Sequence, residues 1–227
     1  MQEALASHVP PLPGSGRHMK ALHTFWQAIR DLYDDLLLFA GASLLWWLAT
    51  LLIIPGPPAT AGLVYLAHRV VNEQRVEISF FWQEFKGRFR TSWLVGGTSL
   101  LVLILIIVNF LFYSSLGNFL KYAVIVWAYL FLMWLAMQVY LFPLIWEMQD
   151  PRFGWLLRNA VMLALARPGY TLVLLVLLAA AAALSAILPF LLVLVWPALV
   201  ALVCARATAH VIAESTDRQS TPVADES

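Results

Sequence analysis

No Asp, Glu, Lys or Arg occurs at 36–68, 91–120, 122–146 or 168–205. Each interval exceeds the roughly 20 helical residues that cross a hydrocarbon core. In hydrocarbon only helices or a closed barrel satisfy every backbone N–H and C=O. Composition agrees: 62% of residues are hydrophobic and 12% charged, with a mean hydropathy of +0.80, against roughly 45–50% and about 25% in soluble domains. The expected fold is all-α, a polytopic membrane bundle of five or six membrane segments with amphipathic interfacial helices.

The polar ends bound this domain. Residues 1–19 are rich in Pro, Gly and Ser, lack a signal-peptide apolar core and read as a disordered tail, as do the polar, acidic residues 214–227. Between them, 20–213 forms a single membrane domain. A formal net charge of +1 leaves no basic field for nucleic acid. The one cysteine, Cys204, lies in an apolar run and excludes a disulfide framework.

Along the chain, 20–35 places Leu22, Phe25, Trp26, Ile29, Leu32 and Tyr33 at helical spacing and reads as an interfacial helix. A first span follows at about 36–54. It ends at Pro55, Gly56, Pro57 and Pro58, which form a sharp hinge. The next apolar stretch, 58–72, has about 15 residues and covers about 22 Å, short of the roughly 30 Å core. It is either a short, tilted crossing or a half-helix within the protein, and its Gly and Ala residues suit close helix packing.

A second amphipathic helix is expected at 79–93, with Ser79 as its N-cap, an aromatic stripe of Phe81, Phe85 and Phe89 flanked by Trp82 and Trp93, and a Glu84–Arg88 pair. Spans at about 94–114 and 122–146 come next. Asp150-Pro151 opens a third amphipathic helix at 151–166. The uncharged interval 168–205 would be about 57 Å long as one helix. It must therefore fold back, giving spans near 170–187 and 190–208, with the turn at Pro189 and a kink at Pro197.

Basic residues set the orientation. Arg69, Arg75, Lys86, Arg88 and Arg90 cluster in 68–93, and Arg152, Arg158 and Arg167 in 147–167. By the positive-inside rule both segments and the C-terminus are cytoplasmic. If the N-terminus is cytoplasmic too, 58–72 must cross, and the reading becomes six segments. At an offset of 72 residues, Phe81, Lys86, Phe89, Gly97 and Ser99 correspond to Phe153, Arg158, Val161, Gly169 and Thr171, a faint internal repeat in which an amphipathic helix feeds a span.

The stretch GPPATAGLVYLAHRVVNEQRVEISFFWQEFKGRFRTSW, then a span, ARPGYTLVLL and a closing apolar hairpin, resembles the YesL-like family of small bacterial membrane proteins. The resemblance covers roughly residues 30–210. It rests on Pro55, Gly56, Pro57, Ala59, Thr60, Phe81, Phe85, Lys86 and Phe89; Pro55 stands where many members carry a threonine. It implies an integral protein of the bacterial cytoplasmic membrane encoded near carbohydrate-uptake components, with no established activity and no catalytic residues to carry over.

The polar side chains are weighed on this background. Within the spans, Asn109 and Gln138 are the candidate polar membrane positions. Hydrogen bonds between helices are their expected use, and lining a polar substrate path is the other. No ionisable residue lies at the centre of a strong span, which argues against a pump. His68, Arg69, Glu73, Glu84, Glu147, Asp150 and Arg158 gather at the water boundary without metal-ligand spacing. Caps and ion pairs are their expected roles.

Trp82, Phe85, Lys86, Phe89, Trp155 and Arg158 on the amphipathic helices are candidates for partner docking or for interfacial anchoring. The expected protein is therefore non-enzymatic, without cofactor or metal, and accessory or regulatory to carbohydrate uptake; the alternative is a small-solute transporter in its own right. Its partners would be the lipid bilayer and a sugar-importer complex or a second copy.

Overall fold

The computed structural model describes residues 17–116, 122–148, 153–187 and 193–220. These residues form helices α1 (Arg17–Asp34), α2 (Leu36–Leu51), α3 (Gly56–Val71), α4 (Ile78–Gly87) and α5 (Phe89–Ser114). They continue as α6 (Ala123–Leu141), α7 (Leu144–Glu147), α8 (Phe153–Ala166), α9 (Pro168–Ile187) and α10 (Trp196–Ser220). The protein is an all-α bundle. Four helices, α5, α6, α9 and the Trp196–Glu214 part of α10, are long and apolar enough to cross a membrane, and a fifth span results if α1 and α2 are taken together.

Several boundaries differ from the sequence reading for local reasons. α1 begins at Arg17, inside the expected tail, and α10 runs to Ser220, beyond the expected 214 limit. α1 and α2 meet at an angle of 96°, so the amphipathic helix turns sharply into its apolar successor. The expected aromatic helix at 79–93 breaks at Arg88, which assigns Phe89 and Trp93 to the long span α5. Ser79 is not the N-cap: Glu77 holds that position in extended geometry, and Ser79 donates to the Glu77 carboxylate at 3.2 Å.

Near the end of α6 the helix breaks at Phe142, because Pro143 supplies no N–H, and α7 resumes as a single turn. Pro197 sits in the first turn of α10, and the helical path breaks at Val195 just before it, where the kink was expected. The turn at Pro189 and the Asp150-Pro151 cap lie outside the described residues.

The core centres on α3. Its neighbours are α2, α4, α5 and α10, and Ala59, Ala61, Leu63, Val64, Leu66 and Ala67 are all buried. Two glycines permit the close approach. A Cβ at Gly62 would stand 2.9 Å from the Phe81 ring and 3.0 Å from the Phe81 carbonyl, and one at Gly96 would stand 2.7 Å from Pro57 Cβ. Small residues thus let α3 sit against α4 and α5 at distances larger residues forbid.

α1 packs against α9 and α10, fastened by polar pairs. Lys20 and Arg167 both engage Glu214, Arg206 engages Asp31 and Gln27, and the Tyr170 hydroxyl donates to Thr24 at 3.0 Å. α1 therefore lies beside the Arg167 end of α9 and the Arg206–Glu214 stretch of α10. The structure repeats the α4–α5 arrangement in α8–α9, a short helix leading after one residue into a span.

Candidate functional site

The densest polar and aromatic cluster forms where α3 ends, at the same face as α4 and α7. Trp146, in the single turn of α7, is its centre. The Tyr65 ring lies 5.5 Å from it and the His68 ring stacks at 6.3 Å. Its indole N–H donates to the Glu84 carboxylate at 3.4 Å, and the Arg88 guanidinium lies 5.9 Å from its ring centre. Glu84 pairs with Arg88 at 3.0 Å, in the i,i+4 order that α4 and its cap supply.

A second layer closes the cluster. Glu147 approaches His68 at 3.5 Å. Arg69 stacks over Phe80 at 3.9 Å and donates to the Arg75 carbonyl at 3.0 Å, which ties the α3–α4 connection to the helix end. Burial pushes the His68 imidazole below its ordinary range; Glu147 opposes that shift and Arg69 adds to it. At neutral pH the neutral ring is therefore favoured, and Glu147 meets a polar ring rather than a full cation.

This cluster can hold four elements in register, but it is assembled from pairs that already satisfy one another. Among the described residues, no group of three or more His, Cys, Asp or Glu could hold a metal ion. The chemistry left over is at the rim. Trp82, Lys86 and Phe89 are exposed, as are Trp155 and Arg158 on α8, with the Arg158 guanidinium 5.6 Å from the Trp155 ring centre. Phe85, by contrast, is half-buried between Phe81, Trp82 and Phe89, so it serves packing.

The two polar membrane positions separate. Gln138 on α6 donates to Ser99 on α5, a bond between helices. Asn109 donates to the Leu105 carbonyl of its own helix at 2.8 Å, so it links no two helices. Two further polar links were not singled out from the sequence: Trp46 donates to Thr60 at 2.9 Å across α2 and α3, and Tyr140 meets Thr171 at 2.8 Å across α6 and α9.

Gln138 also borders two cavities. One, of about 490 Å³, lies between α6, α9 and α10; the other, of about 220 Å³, reaches Trp46, Thr60 and Pro143. Apolar side chains line nearly all of both, with Gln138, Trp196, Val200 and Cys204 common to the two. The hinge prolines point elsewhere: Pro57 packs on Gly96 and Pro58 is buried.

Residues 39–110, which run from α2 through most of α5, match a family described as "Protein of unknown function, DUF624". The chain is also 32% identical over 163 residues to the uncharacterized protein YteU of Bacillus subtilis, an alignment covering 66% of this chain and 70% of that one. The chain belongs to this DUF624 family. No solved structure matches it. The DUF624 segment holds both partners of the two glycine contacts, Gly62 with Phe81 and Gly96 with Pro57, so the matched region is one packed unit.

The sequence pattern marks His68, Arg69, Glu84 and Glu147 as boundary charges but does not mark Tyr65, Phe80 or Trp146 as their partners. The available signal was Trp146-Glu147 at the end of an uncharged interval, where an aromatic at headgroup depth is common.

Proposed function

We propose that this protein is a non-enzymatic component of the bacterial cytoplasmic membrane that acts as an accessory or regulator of carbohydrate uptake, with the basic face in the cytoplasm. One observation carries the accessory reading. Glu84, Arg88, His68, Glu147 and Trp146 satisfy one another at the basic face, leaving an aromatic and basic rim of Trp82, Lys86, Trp155 and Arg158, while apolar side chains line most of the cavities between the spans. Such a rim suits docking at the membrane surface. An apolar interior gives a sugar no hydrogen bonds to replace those it would leave in water. The link to carbohydrate uptake rests on the resemblance to the YesL-like family.

A small-solute transporter is the second reading, and Gln138 at the junction of the two cavities is the observation in its favour. The experiment compares both. Purification in mild detergent that recovers a sugar-importer permease or ATPase, and loses it on combining Trp82→Ala with Trp155→Ala, supports the accessory role. Solute flux in proteoliposomes that disappears with Gln138→Leu would replace it with transport.

A further inference from the structure

The turn between α2 and α3, Leu51-Leu52-Ile53-Ile54-Pro55, has the wrong residues for water. Turns exposed to water favour Gly, Asn, Asp and Ser. Here Leu51, Leu52, Ile53 and Ile54 are 83%, 69%, 70% and 65% exposed, and Ile53 holds a φ of 61°. A β-branched residue in that left-handed region is disfavoured, and Gly or Asn would relieve it. Keeping Ile there makes sense where the side chain must remain apolar.

Most backbone polar groups of the turn are paired within the protein, the Leu51 carbonyl excepted. Leu52, Ile53, Ile54 and Gly56 donate to Ala49, Thr50, Leu52 and Ile53 respectively, and Pro55 has no N–H to place. The Ile54 carbonyl accepts from the Trp93 indole at 2.8 Å, and the Pro55 carbonyl from Ala59 at 2.9 Å. In hydrocarbon every backbone polar group must find its partner within the protein.

The depth of the turn can be read against α5, which starts at the basic face and is 26 residues long. The turn touches α5 at Trp93, and Pro57 in the first turn of α3 touches it at Gly96, three and six residues past Arg90. At ~1.5 Å per residue these lie ~5 and ~9 Å along the helix, with ~27 Å of α5 still to run from Gly96 to Ser114. Tilting α5 shortens all three distances in proportion. α6 agrees: Trp46 and Thr60, on the tip side of the two arms, share a cavity with Gln138, Phe142 and Pro143, ~6–14 Å along the chain's helical rise from Glu147.

The opposite end of the hairpin is held at the basic face, since Arg69 and His68 belong to the Trp146 cluster and Asp31, at the α1 end, pairs with Arg206. Both arms, of 16 residues each, thus enter and leave on the same side.

We infer that α2 and α3 form a re-entrant hairpin that occupies only the leaflet on the basic face, with its Leu51–Ile54 tip in contact with lipid acyl chains and not with water on the far side. The four long helices alone cross, which keeps both ends of the described chain on one side. The short second stretch is therefore a half-helix and not the crossing that charge balance favoured.

The test uses the full chain carrying Cys204→Ala in nanodiscs of phosphatidylethanolamine and phosphatidylglycerol. Nitroxides are placed singly at Leu52→Cys and Ile53→Cys, and as rulers at Leu101→Cys, Leu111→Cys and Ser115→Cys. Relaxation by oxygen against a water-soluble nickel chelate reads depth. The expected result is loss of nickel relaxation at both tip positions, with a depth from the basic face no greater than that of Leu101. Nickel relaxation matching Ser115, or a depth at or beyond Leu111, overturns the proposal. Ile53→Asn gives an independent reading by its sign: a tip in lipid makes it lower the melting temperature in nanodiscs, whereas a tip in water makes it raise that temperature by relieving the left-handed φ.

Discussion

Helices α3 and α5 are both apolar, yet they solve opposite problems. In α5, Leu101, Ile104, Val108, Leu111 and Phe112 are more than half exposed, and only 17% of its most apolar window is buried in the protein. In α3 nearly every residue from Gly56 to Ala67 is buried. Large aliphatic residues face lipid, which is as apolar as they are. Small residues mark the protein–protein contact, because without a hydrophobic drive between helices association depends on close packing. In this chain the greasier sequence is the less buried one.

Truncation should separate the two helices most strongly. Leu66 is fully buried on α3, so Leu66→Ala leaves a cavity and is expected to cost about 2–5 kcal/mol. Leu101→Ala on α5 removes a side chain that is 64% exposed, and lipid closes over the loss; a change under about 0.5 kcal/mol is expected. Thermal unfolding in one detergent measures both. Equal losses would erase the distinction between the helices.

Adding a methyl should come next. At Gly62 the new Cβ would meet both the ring and the backbone carbonyl of Phe81, and a carbonyl cannot swing aside as a flexible side chain can. Gly62→Ala is expected to destabilise by about 1–3 kcal/mol. Gly41→Ala on α2, where nothing lies within 4 Å, should instead gain up to about 1 kcal/mol of helix propensity. The opposite signs, read as melting shifts, locate the tight packing on α3 rather than on glycine as such.

The spans were legible because charge is so costly in hydrocarbon that its absence delimits them; α5, α6 and α9 fall within the uncharged intervals apart from a few terminal residues. The break at Arg88 was less visible, since Phe81, Phe85 and Phe89 keep one four-residue spacing through it. The pairing of Asp31 with Arg206 joins residues 175 positions apart, and no local pattern encodes that. The Trp146 cluster was half legible: its charges announce a boundary, but its aromatics look like any others in a chain with ten tryptophans.

Polar residues sharpen the comparison at a smaller scale. Gln138→Leu removes the link between α6 and α5 and should cost about 1 kcal/mol, the usual scale of an interhelical hydrogen bond. Asn109→Leu breaks only a bond to its own helix and should leave the melting temperature unchanged or slightly raised. A large loss at Asn109 would show that α5 meets a partner there.

The smallest effect concerns the basic ends of the two helices. α5 starts beside Arg88 and Arg90. α3 ends at His68, whose imidazole burial holds below its ordinary 6.5, with Glu147 pulling the other way and Arg69 adding to burial. Because the folded value is depressed, the unfolded chain binds the proton first as pH falls. The stabilisation is present above the ordinary value and fades as pH drops through the folded one. Thermal unfolding between pH 7.5 and 5 should therefore show a modest decline that His68→Gln flattens. A decline unchanged by His68→Gln would assign it to other groups, and a rise on acidification would mean that Glu147 outweighs burial and that the pair closes as an ion pair.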